Sequence, residues 1–210
     1  MKRITLSALL MTLFLFIGCN NGGVKEGMAT TSNGSVINLK EVSTDIENAV
    51  AFAESVKEVH TLVKSVDELA KAIGKKIQAA GATGTVASKN ASLVAGAYNV
   101  VAAVETSLEA LEKKAIGQLA GMKTQVTAAK SSSTKFLTTL KGANASLGID
   151  EVTDPHAQEA IDKKTKPSGD KGASDLGELN TAIDALVEAA KGAVKSAIAE
   201  LTTPKAEKTN

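Results

Sequence analysis

Arginine occurs once in this 210-residue sequence, at Arg3, and tryptophan not at all; there is one cysteine, one tyrosine and two histidines. Each scarcity closes a class of function. Sequence-specific readers of duplex DNA rely on arginine at guanine edges and phosphates. Single-strand and RNA binders stack bases on aromatic rings. Neither resource is present here, so nucleic acid is excluded as a partner. A single cysteine allows no intramolecular disulfide. His60 and His156 stand far apart in sequence, and with no second cysteine they do not assemble a zinc ligand set. No Gly-x-Ser-x-Gly elbow and no Gly-x-x-x-x-Gly-Lys-Ser/Thr phosphate loop occurs. The reading is of a chain without cofactor, metal or catalytic site, and not of an enzyme.

The N-terminus carries the strongest signal present. Lys2 and Arg3 precede an apolar run from Ile4 to Ile17. That run is shorter than the about 20 residues a bilayer-spanning helix needs, and it follows a basic start, which marks a signal peptide. It ends Phe16-Ile17-Gly18-Cys19. A small residue immediately before a cysteine is the pattern that a bacterial lipoprotein signal peptidase cuts. Cleavage between Gly18 and Cys19 leaves Cys19 to carry an S-diacylglycerol group and an N-acyl chain, and two or more chains anchor a protein stably. Losing Lys2 and Arg3 takes the 24 basic residues to 22 against 23 acidic ones, so the mature chain has a net charge of −1. Its aromatic residues are then only Phe52, Tyr98 and Phe136.

Four segments follow: 1–18 as signal peptide, 19–37 as a flexible tether, 38–202 as a helical domain and 203–210 as a tail. The tether is rich in Gly, Asn, Ser and Thr and reads as loose coil. Asn38 with Glu41 forms the start of a capping box. A three-four alternation (Leu39, Val42, Ile46, Ala49, Ala53, Val56, Val63) then predicts a first helix reaching Ala80, with Gly81 as its stop. Residues 81–85 form a turn. A second helix carries Leu93, Ala97, Val100, Val104, Leu108 and Leu111, with a break at Lys113-Lys114 and Gly117. A third, carrying Leu119 to Leu140, ends near Gly142. Residues 143–175 read as a polar excursion, within which Asp154-Pro155 caps a short helix to about Lys163. A fourth long helix starts near Ser174 or Asp175 and ends at Thr202-Thr203-Pro204. Short connections between long helices place them antiparallel. The expected fold is all-α: an elongated antiparallel bundle of four main helices plus a short one, with both termini at one end. The 75–88 and 142–175 segments then share the far tip. There Lys75, Lys76, Lys163, Lys164 and Lys166 are candidate ligands for an anionic host polymer, although mixed charge on helix faces is ordinarily solvated surface.

Several stretches resemble the variable small protein and outer surface protein C family of Borrelia surface lipoproteins. They are the signal segment through Cys19, Leu93-Val-Ala-Gly-Ala-Tyr98, Ala128-Ala-Lys-Ser-Ser-Ser-Thr-Lys-Phe136, Val152-Thr-Asp-Pro-His-Ala-Gln-Glu-Ala-Ile161, and the end from Ala189 to Pro204. The resemblance is stronger to the relapsing-fever variable small proteins. It implies a helical, homodimeric protein held in the outer membrane by its lipid and exposed at the cell surface. It also implies antigenic variation and immune evasion by switching among variants, with host antibodies and, in some members, host glycosaminoglycans as partners.

Overall fold

The computed structural model describes residues 27–30, 36–79 and 81–201. Gly18, Cys19, the rest of the signal segment and the 203–210 tail lie outside these residues. The chain divides into two compact units, one of residues 1–47 with 196–210 and one of residues 48–195.

In the first unit, β1 (Met28–Thr30) pairs antiparallel with β2 (Val36–Asn38), Ala29 facing Ile37. Loose coil was expected for β1 and for Val36 and Ile37 of β2. The pairing has a local reason: β-branched Val36 and Ile37 favour extended backbone, and Ile37 is buried while its two strand neighbours are exposed. The Leu39 N–H donates to the Gly27 carbonyl at 2.9 Å, which closes the ribbon. Asn38 then caps α1 (Leu39–Ala70), its Oδ1 accepting the Glu41 N–H at 3.2 Å, as the sequence predicts.

The second unit is a helical bundle. It contains most of α1, then β3 (Lys75–Ile77), β4 (Thr83–Thr85), α2 (Ala91–Lys114) and a 3₁₀ turn (Gly117–Met122). After these come α3 (Lys123–Gly142), α4 (Asn144–Leu147), α5 (Asp154–Ile161) and most of α6 (Ala173–Ala199). Contacts between side chains show the helix directions. Glu112 meets Thr127 and Lys130, and Glu105 meets Thr134, so α2 and α3 run antiparallel. His60 meets Asp184 and Lys64 meets Asn180, so α1 and α6 do too. The chain therefore enters and leaves this unit at the same end.

The core is mostly aliphatic, with Phe52 and Phe136 its largest side chains. Phe52, Val56, Val59, Val63 and Val66 of α1 are almost fully buried. So are Val101, Val104 and Leu108 of α2, Val126 and Phe136 of α3, and Leu176, Leu179, Ile183 and Leu186 of α6. Phe52 and Val59 fall between the predicted seam positions and widen the stripe beyond a strict three-four line. By length and apolar composition α2 could span a membrane; in this bundle one face of it, Val94, Ala97, Val101, Val104, Leu108 and Leu111, is buried.

Three expectations are corrected. The first helix stops at Ala70, ten residues early, and residues 75–85 are a hairpin rather than helix and turn. Gly74 sits at φ +67°, a left-handed conformation that glycine adopts without penalty. Its N–H is taken by Asn90 Oδ1 at 2.9 Å, which removes a donor from any continuing helix. Second, α5 is capped by Thr153, whose Oγ1 accepts the His156 N–H at 3.3 Å. The predicted cap, Asp154, points elsewhere. Third, the 143–175 segment is not simply polar: Val152, Ala157, Ala160, Ile161 and Ala173 are wholly buried, because α5 turns an apolar face inward. His156, read as a surface residue, is half-buried, with Nδ1 enclosed and unpaired.

Candidate functional site

The hairpin β3–β4 pairs Lys75 with Thr85, Lys76 with Gly84 and Ile77 with Thr83. Its turn is closed by the Gln78 N–H on the Ala82 carbonyl at 2.9 Å, with Gly81 at φ +76°. Every β3 side chain is exposed, Ile77 to 90%. Three-residue strands with no buried face cannot hold themselves together in water. What holds this pair is a polar clamp at its base.

Asn90, only 2% exposed, is the centre of the clamp. It occupies the position before α2 but makes no side-chain cap there. Instead its Oδ1 accepts from Gly74 N–H, and its Nδ2 donates to the Val152 carbonyl at 3.1 Å and to Asp154 Oδ1 at 2.8 Å. Asp154 Oδ1 also accepts the Ser88 N–H at 3.2 Å, and the Val86 N–H donates to the Gly74 carbonyl at 2.9 Å. A Cβ placed on Gly74 would lie 2.7 Å from Asp154 Oδ2, so the backbone and the carboxylate are packed together without room for a side chain. An ion pair between Lys89 and Glu151 ties the same two segments at the surface. The 75–88 and 142–175 segments are thus brought together at one end of the bundle.

The candidate lysines gather at this end but are not equivalent. Lys75 and Lys76 are exposed on β3 and have no carboxylate in ion-pair range among the described residues. Lys163 is bonded through Nζ to Asp67 Oδ2 at 2.9 Å, with side chains only 17% and 11% exposed. Its charge is neutralised by α1 and supports the fold. Lys164 and Lys166 are exposed on a turn organised by Asp162, which accepts from the Lys164 and Thr165 N–H groups. Glu68 sits nearby with its carboxyl held below the usual range, chiefly by its hydrogen bond to Lys71, with Lys164 adding to the effect. Acidic residues therefore interleave the basic ones, and the exposed basic feature narrows to Lys75, Lys76 and Lys166. The clamp residues Gly74, Asn90 and Asp154 were not singled out as functional by sequence. Asp154 was read only as the cap of a short helix, and neither Gly74 nor Asn90 carried a reading.

Known proteins agree with this architecture. A sequence family described as Lipoprotein matches residues 36–207. Outer surface protein C of Borreliella burgdorferi is 44% identical over 208 residues, covering 97% of this chain and 96% of that protein. The chain belongs to this family of Borrelia surface lipoproteins. Variable small protein 11 of Borrelia hermsii is also 44% identical, over 213 residues, with 97% and 98% covered. The solved structure of Variable Small Protein 1 of Borrelia turicatae is 53% identical, with a TM-score of 0.72, covering 77% of this chain and 98% of that one. Membership establishes a lipid-anchored protein of the outer surface, and the helical body fits that of the family.

Proposed function

We propose that this lipoprotein is a variable surface antigen of the variable small protein type. It serves immune evasion by being replaced, through expression switching, with relatives that share its scaffold. The observation that carries the reading is the exposed hairpin on the buried clamp. The side chains of β3 and β4 contribute nothing to the core, while Asn90, Asp154 and Gly74 hold the hairpin backbone. Substitutions there change the surface that antibodies meet and leave the bundle intact. Lipidation at Cys19 supplies the anchor, and the end where the chain enters and leaves the bundle faces the membrane. The hairpin end then faces the host. Homodimers of the lipidated chain belong to the same reading.

The test is a graft. Antibodies raised against the whole protein are mapped on a chimera carrying the 75–88 and 142–175 surface residues of variable small protein 11. Loss of most binding is the expected result. Retained binding, mapping to helix flanks near residue 48, removes the hairpin end from the account.

A second reading, adhesion to host glycosaminoglycan, is favoured by Lys75, Lys76 and Lys166, which no carboxylate neutralises among the described residues. A polyanion would reach them by screened attraction and leave as salt rises.

A further inference from the structure

A cleft of ≈ 160 Å³ opens between the start of α2, the end of α3 and α4. It exists because Ala91 and Ala95 present only methyl groups where larger side chains would close it. Val94 and Leu147 make its wall aliphatic. Its polar lining includes Asn144 and Lys141, whose Nζ stands 5.9 Å from the centre of the Tyr98 ring. Lysines 64, 71, 89, 130, 135, 163, 171 and 191 each have a carboxylate partner. Lys141, like the exposed Lys75, Lys76 and Lys166, has none among the described residues, and of these four it alone lines the cleft. A cation over a ring is held weakly at an exposed site, so this ammonium is left with unused donors beside an apolar hollow.

We propose that the cleft is a binding site for a small aromatic monocarboxylate of about phenylacetate size. The volume of this open cleft is close to that of the enclosed apolar cavity of about 150 Å³ that accepts a benzene ring. An aryl ring fills the hollow against Val94 and Leu147, edge or face to Tyr98. The single carboxylate accepts from Lys141, a charge-assisted bond stronger than a neutral one. The aliphatic wall disfavours a sulfated sugar, whose hydroxyl groups would lose water there without replacement.

Tyr98 is the only tyrosine and no tryptophan exists, so its emission reports this site alone. The mature chain is titrated with phenylacetate, following Tyr98 emission and backbone amide shifts. Saturable binding with shifts confined to residues 91–98 and 140–148 is expected. Lys141→Gln weakens it about tenfold, the loss of one charge-assisted bond. Ala95→Phe, on the exposed lip of the cleft, abolishes it with the helical circular-dichroism signal retained. In the unaltered chain, 2-phenylethanol binds as weakly as phenylacetate does to Lys141→Gln. Shifts that never saturate, or that spread over the exposed lysines, overturn the site. Equal affinity for phenylethanol and phenylacetate overturns the role of Lys141. Binding that survives Ala95→Phe places the ligand elsewhere and overturns it also.

Discussion

Replacing Asn90 with alanine isolates the device that holds the hairpin. The side chain makes three hydrogen bonds: from Gly74 N–H, to the Val152 carbonyl and to Asp154 Oδ1. The two neutral bonds are worth about 1 kcal/mol each, and the one to a carboxylate about 1.5–3 kcal/mol. The Val152 carbonyl keeps a long bond from the Asn90 N–H at 3.4 Å, which offsets part of its loss. The buried Gly74 N–H is left without its acceptor, and an orphaned buried donor costs about 1–3 kcal/mol. These overlap, so the expected loss is about 3–4 kcal/mol, a large share of the about 5–15 kcal/mol that stabilises a domain. Urea unfolding followed by circular dichroism measures it, and hydrogen exchange localises it to the Gly74 and Val86 amides. Asn90→Asp is the sharper variant. It preserves the acceptor for Gly74 but turns an anionic oxygen toward Asp154 and the Val152 carbonyl, and like charges at that distance repel. It therefore costs more than Asn90→Ala at neutral pH. The repulsion raises the folded-state pKa of the carboxylate pair, so the penalty shrinks as pH falls and one of them takes a proton. Asp154→Asn in the same chain recovers part of the loss at neutral pH. An Asn90→Ala loss below about 1 kcal/mol, or unchanged protection at Gly74, refutes the clamp.

Further outcomes follow from other contacts. Gly172 lies at φ +142°, and a Cβ there would come within 2.3 Å of Leu140 Cδ1 and 2.7 Å of the Ala160 carbonyl. Gly172→Ala should therefore lower the urea midpoint sharply; an unchanged midpoint means that Gly172 is not packed against Leu140 and Ala160 in this way. Phe136→Ala empties a fully buried site and should cost about 3–5 kcal/mol in the same assay. Lys75→Gln with Lys76→Gln should lower heparin retention without changing stability. Lys163→Gln should do the reverse, since it breaks the half-buried pair with Asp67, and equal loss of heparin binding in both would refute that division. Glu68, Glu112 and Glu151 have carboxyls held below their ordinary value of 4.5 by hydrogen bonds from Lys71, Lys130 and Lys89 respectively. Their folded-state pKa is depressed, so their contribution is present above 4.5 and lost as pH falls through the folded values. The unfolding midpoint should accordingly drop on that acid side, and less steeply in high salt. A midpoint insensitive to acid would show these pairs to be without consequence.

The sequence by itself determined the parts of this protein that depend on neighbours along the chain. Helix periodicity is local, and each long helix appears close to where the three-four spacing puts it. The Asn38 cap, the break after Lys114 and the end of α3 at Gly142 are likewise written within a turn of themselves. Family membership was legible for the same reason, in short runs such as Leu93 to Tyr98. The tertiary structure alone decided where α1 stops. Gly74 and Gly81 both offer a stop in sequence, and the fold selects the earlier one because Asn90, sixteen residues on, takes the Gly74 N–H. It also divided the lysines. Lys163 looks in sequence like its neighbour Lys164, and only the arrival of Asp67 from α1 separates a structural cation from an exposed one. Polar contacts of this kind have no period to read. Their partners are brought together by the packing of apolar seams that carry no information about them, and the hairpin end is therefore specified by the folded bundle.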